Sequence, residues 1–169
     1  MTPKEKPDVE QIAYDKARQY MKQYHSCSQG TLLALQETFG LEDDNVFKAA
    51  TGFAGGIGGM HDTCGILLGA CLALGMAYGR SSATAPGPVV RPKAMQMTRQ
   101  LYSWFAEEFG SVTCRDIRSP HNPPADAPGP APAQQKGKAR DCEEMAAITA
   151  RYVAAMLREE MEAEANAGK

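Results

Sequence analysis

Residues 51–75, TGFAGGIGGMHDTCGILLGACLALG, hold eight of the chain's sixteen glycines and two of its five cysteines. No other stretch limits the possible folds so strongly. Five glycines fall between Gly52 and Gly59, and each makes continued helix costlier than alanine would, by about 1 kcal/mol. A loop is expected there. Behind it, Cys64 to Gly79 carry no charged side chain. Such a run is shorter than the roughly 20 residues a membrane-spanning helix needs, so it reads as a buried core helix and no membrane segment is expected.

The surrounding chain reads as helices. Leu, Met and Ala abound, while β-branched and aromatic residues are few, which favours helix over sheet. In DVEQIAYDKARQYMKQYH, Val9, Ile12, Ala13, Ala17, Tyr20, Met21 and Tyr24 lie on one stripe at three- and four-residue spacing. A second helix is expected from Ser26 or Ser28 to Gly40, with Leu32, Leu35 and Phe39 inward. A short third is capped by Asp43 or Asp44. Asp62 is expected to cap the fourth helix, which runs to about Tyr78. The fifth spans about Pro92 to Phe109, burying Met95, Leu101, Tyr102, Phe105 and Phe109, with Trp104 as a core anchor. Ser111 caps a short turn from Cys114 to Ile117. Asp141 caps a last helix with Met145, Ile148, Tyr152, Met156 and Leu157 on one face. The fold class is therefore all-α: an antiparallel bundle of about five to six helices with Gly-rich and Pro-rich loops.

With 169 residues, the chain fits a single helical domain over 1–169. Residues 1–7 read as a flexible N-terminus, and the Pro/Ala-rich segment 118–140 as a disordered excursion. The net charge is -2 with basic residues scattered, so no nucleic-acid footprint is expected. The polar start carries no secretory signal, and a cytoplasmic location follows, where thiols stay reduced. Five cysteines in that setting read as metal ligands or redox thiols rather than as a disulfide framework.

Four of them share a local context. Cys27 follows Ser26, Cys64 follows Asp62 by two, Cys114 follows Ser111 by three, and Cys142 follows Asp141. Each is thus expected in the first turn of a different helix, where free N–H groups and the helix dipole favour thiolate. Cys71 lies one face-repeat beyond Cys64 and about 10.5 Å along the axis, too far to share a compact site. The glycines before Cys64 suggest a nest: Gly55, Gly56, Gly58 and Gly59 could aim backbone N–H groups at sulfur. Gly65, Gly69, Gly75 and Gly79 read as close helix–helix packing. No GxxxxGK[ST] motif is present, and no Lys or Arg lies between Lys48 and Arg80, which argues against nucleotide binding.

These segments, HSCSQGTLLALQETFGL, GFAGGIGGMHDTCGILLGACLALG, EEFGSVTCRDI and the DC before the last helix, resemble the redox-active family named for its C_GCAxxG_C_C motif. The cysteine-bearing domain of split-Soret cytochromes is related to that family. The resemblance covers roughly residues 9–160. It implies that Cys27, Cys64, Cys114 and Cys142 are the family cysteines, that they bind an iron–sulfur cluster of unspecified type, and that the chain transfers electrons to a redox partner protein or senses redox state. The chain departs from the family pattern at CSQG, where NCAQ is commoner, and at Ile66, where a small residue is usual. No CxxCH occurs, so c-type haem attachment is not expected.

Two other readings stand beside this one. A metal-free thiol–disulfide protein would use the same helix-start cysteines, though CxxC is absent. A structural zinc or interaction module could draw on His25 or His61, which precede cysteines by two and three residues. Both histidines otherwise read as loop or capping residues. His121 sits in the proline-rich segment, and the methionines at helical spacing read as core filler. Homodimerisation and substrate chemistry stay open on this reading. No Ser–His–Asp set or paired-carboxylate acid–base site is evident.

Overall fold

The computed structural model describes residues 8–84, 93–118 and 141–168. Among these residues the chain forms seven α-helices: α1 (Val9–Tyr24), α2 (Cys27–Phe39), α3 (Asp44–Ala49), α4 (Gly65–Tyr78), α5 (Lys93–Phe109), α6 (Cys114–Arg118) and α7 (Cys142–Ala167). The count exceeds the expected five to six because the turn at Cys114 closes into a short helix. The expectation for residues 1–7 lies outside the described residues, as does that for 118–140 from residue 119 onward.

Local capping explains most boundaries. Asp8 accepts the N–H of Gln11 at 3.1 Å, and α1 ends at His25, whose φ of 49° turns the chain left-handed. Gly40 at φ 65° closes α2, and Asp43 caps α3 through the N–H groups of Asn45 and Val46. Asp141 caps α7 by accepting from Glu143. One expectation is corrected: Cys64, not Asp62, occupies the cap position of α4, while the Asp62 carboxylate accepts the Thr63 hydroxyl at 3.3 Å. Asp62 is committed to a backbone bridge described below, which holds it outside the helix.

The helix directions decide where the site can be. Along α1 and α7, Glu144 meets Tyr14 and Arg18 while Arg158 meets Glu10, so these helices are antiparallel. Helices α1 and α2 are also antiparallel, since Glu37 meets Lys16 and Gly30 meets Met21. Yet α4 runs parallel to α2: Gly69 lies on Ser28, and Met76 meets Gln36. The long connection through α3, the 3₁₀ turn Ala50–Phe53 and the glycine loop carries the chain back to the starting end. Helix α5 then returns antiparallel, with Lys93 at Tyr78 and at Glu160 and Glu164 of α7. Helices α2, α4 and α7 therefore begin at one end of the bundle, and α5 delivers α6 to that same end.

The core is built largely of small residues. Ala13, Ala17 and Met21 of α1 face Ala146, Ala147, Ala150 and Ala154 of α7, all buried, and alanine lets helix axes approach closely. The outer members of the expected α1 stripe, Ile12 and Tyr24, are exposed at 37% and 40%. On α5 the inward stripe is Ala94, Met97, Leu101, Phe105 and Phe109. Met95 and Tyr102, expected inward, are exposed instead, because each lies about 100° around the helix from its buried neighbour. Trp104 is half-buried and stacks flat on Tyr152 of α7, with ring centroids 3.9 Å apart. Helix α4 supplies Ile66, Leu67, Ala70, Ala73 and Leu74 to the centre. No helix among the described residues is long and apolar enough to cross a membrane.

Candidate thiol site at the helix starts

Each of the four family-type cysteines opens a helix: Cys27 begins α2, Cys64 caps α4, Cys114 begins α6 and Cys142 begins α7. The parallel pairing of α2 and α4 brings the first two together. A Cβ added at Gly65 would land on the sulfur of Cys27 and lie 2.7 Å from the Phe53 carbonyl oxygen. Cys27 thus reaches the residue next to Cys64 only because that residue has no side chain. Gly69 repeats the device one turn on, against the Ser28 backbone. The expected close packing holds at Gly65 and Gly69, whereas Gly75 has open space and Gly79 faces the Gly75 carbonyl of its own helix.

A backbone bridge brings in the third cysteine. Thr63 pairs antiparallel with Thr113. The N–H of Cys64 donates to Val112 at 2.8 Å, that of Cys114 to Asp62 at 2.7 Å, and that of Arg115 to His61 at 3.0 Å. Side chains alternate across such a bridge, so Cys64 and Cys114, one residue beyond each paired threonine, share a face. Sequence reasoning missed this pairing. Its one local trace is the repeated Thr-Cys at 63–64 and 113–114.

The glycine loop is shaped by left-handed backbone. Gly55, Gly56, Ile57, Gly58 and Gly59 all have φ between 61° and 81°, and His61 has φ 58°. Gly56 is the most constrained of them. A Cβ there would lie 2.8 Å from the nitrogen and oxygen of Asp62 and from the Cβ of Cys114. The six successive N–H groups from Ile57 to Asp62 donate to carbonyls of Gly52, Phe53, Ala54, Gly55, Gly56 and Ile57. Gly58 and Gly59 therefore use their N–H groups to shape the loop. Those of Gly55 and Gly56 take no part in these bonds, and Gly56 is buried beside Cys114.

The electrostatics correct one expectation. Helix-start geometry alone predicts a lowered thiol, but Cys64 is pushed up to about 12. Burial is the largest cause. The N–H groups of Ile66 and Leu67 oppose it, while neighbouring Cys114 and Cys27 add to it. Desolvation of a thiolate outweighs the dipole once the sulfur is this deep. Cys71, half-buried further along α4, is pushed up to about 11 by burial alone. Cys64 is therefore a thiol at neutral pH unless a bound cation compensates the charge.

Two further groups stand at this end. The Ser26 hydroxyl, immediately before Cys27, is buried and has no hydrogen-bond partner, and it does not cap α2. His61 Nδ1 lies 3.9 Å from the sulfur of Cys114. His25, by contrast, is exposed and closes α1 through its own N–H. Cys142 stands by the end of α1, where Glu143 and Glu144 pair with Lys22 and Arg18. His121 lies outside the described residues. Among the described residues, no three His, Cys, Asp or Glu side chains converge tightly enough to hold a single metal ion.

No curated protein and no solved structure matches this chain. The model of the family described as "Putative redox-active protein (C_GCAxxG_C_C)" matches residues 6–156. That span takes in all five helix-borne cysteines and the glycine loop, and the chain belongs to this redox-active family.

Proposed function

We propose that the protein holds an iron–sulfur cluster through Cys27, Cys64, Cys114 and Cys142 and serves electron transfer or redox sensing. One observation carries the reading: helices widely separated in sequence start at one end of the bundle with cysteines, and three of those cysteines meet around Gly65 and the Thr63–Thr113 bridge. A set made of thiols suits iron–sulfur chemistry. When bound, the cluster would supply a one-electron couple.

The chain's own residues have definable parts in this reading. Cys64 must lose a proton that burial otherwise retains, so binding releases protons and strengthens as pH rises. Gly65 admits the Cys27 sulfur, and Gly56 admits Cys114 to the loop. The N–H groups of Gly55 and Gly56 are the loop donors left to face a sulfur, and Ile66 and Leu67 supply two more at Cys64. Such donors raise the reduction potential by stabilising the more negative state. A metal-free dithiol mechanism with Cys64 as its nucleophile is disfavoured by the same burial, since a thiol pushed up to about 12 is a poor nucleophile at neutral pH.

The test is the absorption spectrum with the iron and sulfide content of anaerobically purified protein. Iron and sulfide in comparable amounts, with charge-transfer absorption, are expected. A colourless protein containing zinc, or one free of metal with reversible disulfides, would reject the proposal.

A further inference from the structure

His61 is a non-thiol metal-binding side chain that the fold sets against a family cysteine. Its Nδ1 stands 3.9 Å from the Cys114 sulfur. A sulfur about 2.3 Å and a nitrogen about 2.0 Å from one tetrahedral metal atom are roughly 3.5 Å apart. The observed separation exceeds that by a few tenths of an ångström, which small side-chain rotations absorb.

The backbone says why the ring is there. His61 is left-handed at φ 58°, a conformation that costs a non-glycine residue about 1–2 kcal/mol. It is held from both sides: its N–H donates to Gly55 at 3.0 Å and its carbonyl accepts from Arg115 at 3.0 Å. A glycine would satisfy that conformation without strain, and the neighbouring positions 58 and 59 use glycine. His25 and Ile57 are left-handed too, so the backbone fixes where the ring stands, and its contact with Cys114 carries the assignment.

We propose that His61 and Cys114 bind the same metal atom. This rests on the reading that the site holds an iron–sulfur cluster. A pair is a sufficient set, because each iron of a two-iron cluster takes two protein ligands and two sulfides, so His61 takes the place of one of the four cysteines as a ligand. Nδ1 binds through its lone pair, so the ring is neutral with its proton on Nε2, and Cys114 binds as thiolate after releasing its proton to solvent. Replacing thiolate by imidazole at one iron raises the potential relative to an all-cysteine cluster.

The test uses the full chain purified anaerobically, labelled with ¹⁵N-histidine or unlabelled, and examined by pulsed electron paramagnetic resonance in the reduced state. A strongly coupled histidine nitrogen is expected in the wild type. It should be lost in His61→Gly, which keeps the left-handed backbone, and be restored by added imidazole. A retained far-ultraviolet helical signal shows that His61→Gly is folded, and His61→Cys should keep a cluster at a lower potential. A cluster-bearing wild type without nitrogen coupling, or His61→Gly with wild-type spectra, overturns the assignment of His61 and leaves the cluster standing. A wild type lacking iron and sulfide overturns both.

Discussion

The bundle and the glycine loop solve opposite problems. In the bundle, alanines of α1 and α7 and the aliphatic face of α4 gain stability from burial spread over many residues. Any one contact there adds little, and regular backbone does the positioning. In the loop from Gly52 to Asp62, little apolar surface is buried: Ile57 and Met60 are exposed at 44% and 50%. Its shape comes from left-handed residues and a ladder of hydrogen bonds within the loop. The contrast teaches that stability and site geometry are carried by different parts of this chain. Gly65 and Gly69 are where the two meet, since there helix packing and sulfur placement depend on the same missing side chains.

The largest effect on stability should come from that seam. Gly69→Val would drive a side chain into the Ser28 backbone and push α4 off α2, costing about 3 kcal/mol by the usual scale of overpacking. Chemical denaturation reads this directly; a loss below about 1 kcal/mol would mean that the two helices slide apart freely and that the seam does not position Cys27.

A second comparison sharpens the difference within the loop. Gly56→Ala meets both a positive φ and contacts at 2.8 Å with Asp62 and Cys114, for an expected cost of about 2–3 kcal/mol. Gly58→Ala meets only the strained φ, with open space around it, and should cost about 1 kcal/mol. Equal destabilisation of the two variants would show that crowding at Cys114 plays no part. In the cluster reading, Gly56→Ala should also alter the absorption spectrum, and Gly58→Ala should not.

The two α4 cysteines separate function from packing. Cys71→Ala should cost about 1 kcal/mol for a small gap and leave iron and sulfide content unchanged. Cys64→Ala should be similarly mild to the fold and yet abolish cluster assembly. Parallel loss of metal in both variants would refute the division.

The smallest effect lies on the outer face of α1 and α2. The Glu37 carboxyl is held below the ordinary glutamate range, first by the hydrogen bond from Lys16 and then by that from Tyr20. A depressed folded value contributes stability above the unfolded value of about 4.3 and loses it as pH falls through the folded one. The pair is partly solvated, so the contribution is below about 1 kcal/mol. Glu37→Gln should therefore flatten the acid limb of a stability–pH curve while sparing the cofactor; an unchanged acid limb would remove this ion pair from the account.

Much of the architecture was legible because it is local. Caps at Asp43 and Asp141, left-handed ends at Gly40 and Gly110, and the glycine break before Cys64 act within a turn of the residue concerned. Which stripe faces inward was less legible. Met95 and Tyr102 offer as much apolar surface to bury as their neighbours Ala94 and Leu101, and the position of α4 and α7 decides which side of α5 is covered.

By itself, then, the sequence determined that the chain is helical and that a cysteine stands at the start of each of four helices. Those properties follow from residues a few positions apart. Tertiary structure decided that α2 and α4 run parallel, that Thr63 pairs with Thr113 fifty residues away, and that Cys27 rests on Gly65. It also reversed the expected acidity of Cys64, because the helix dipole is a local field whereas desolvation depends on everything packed around the sulfur.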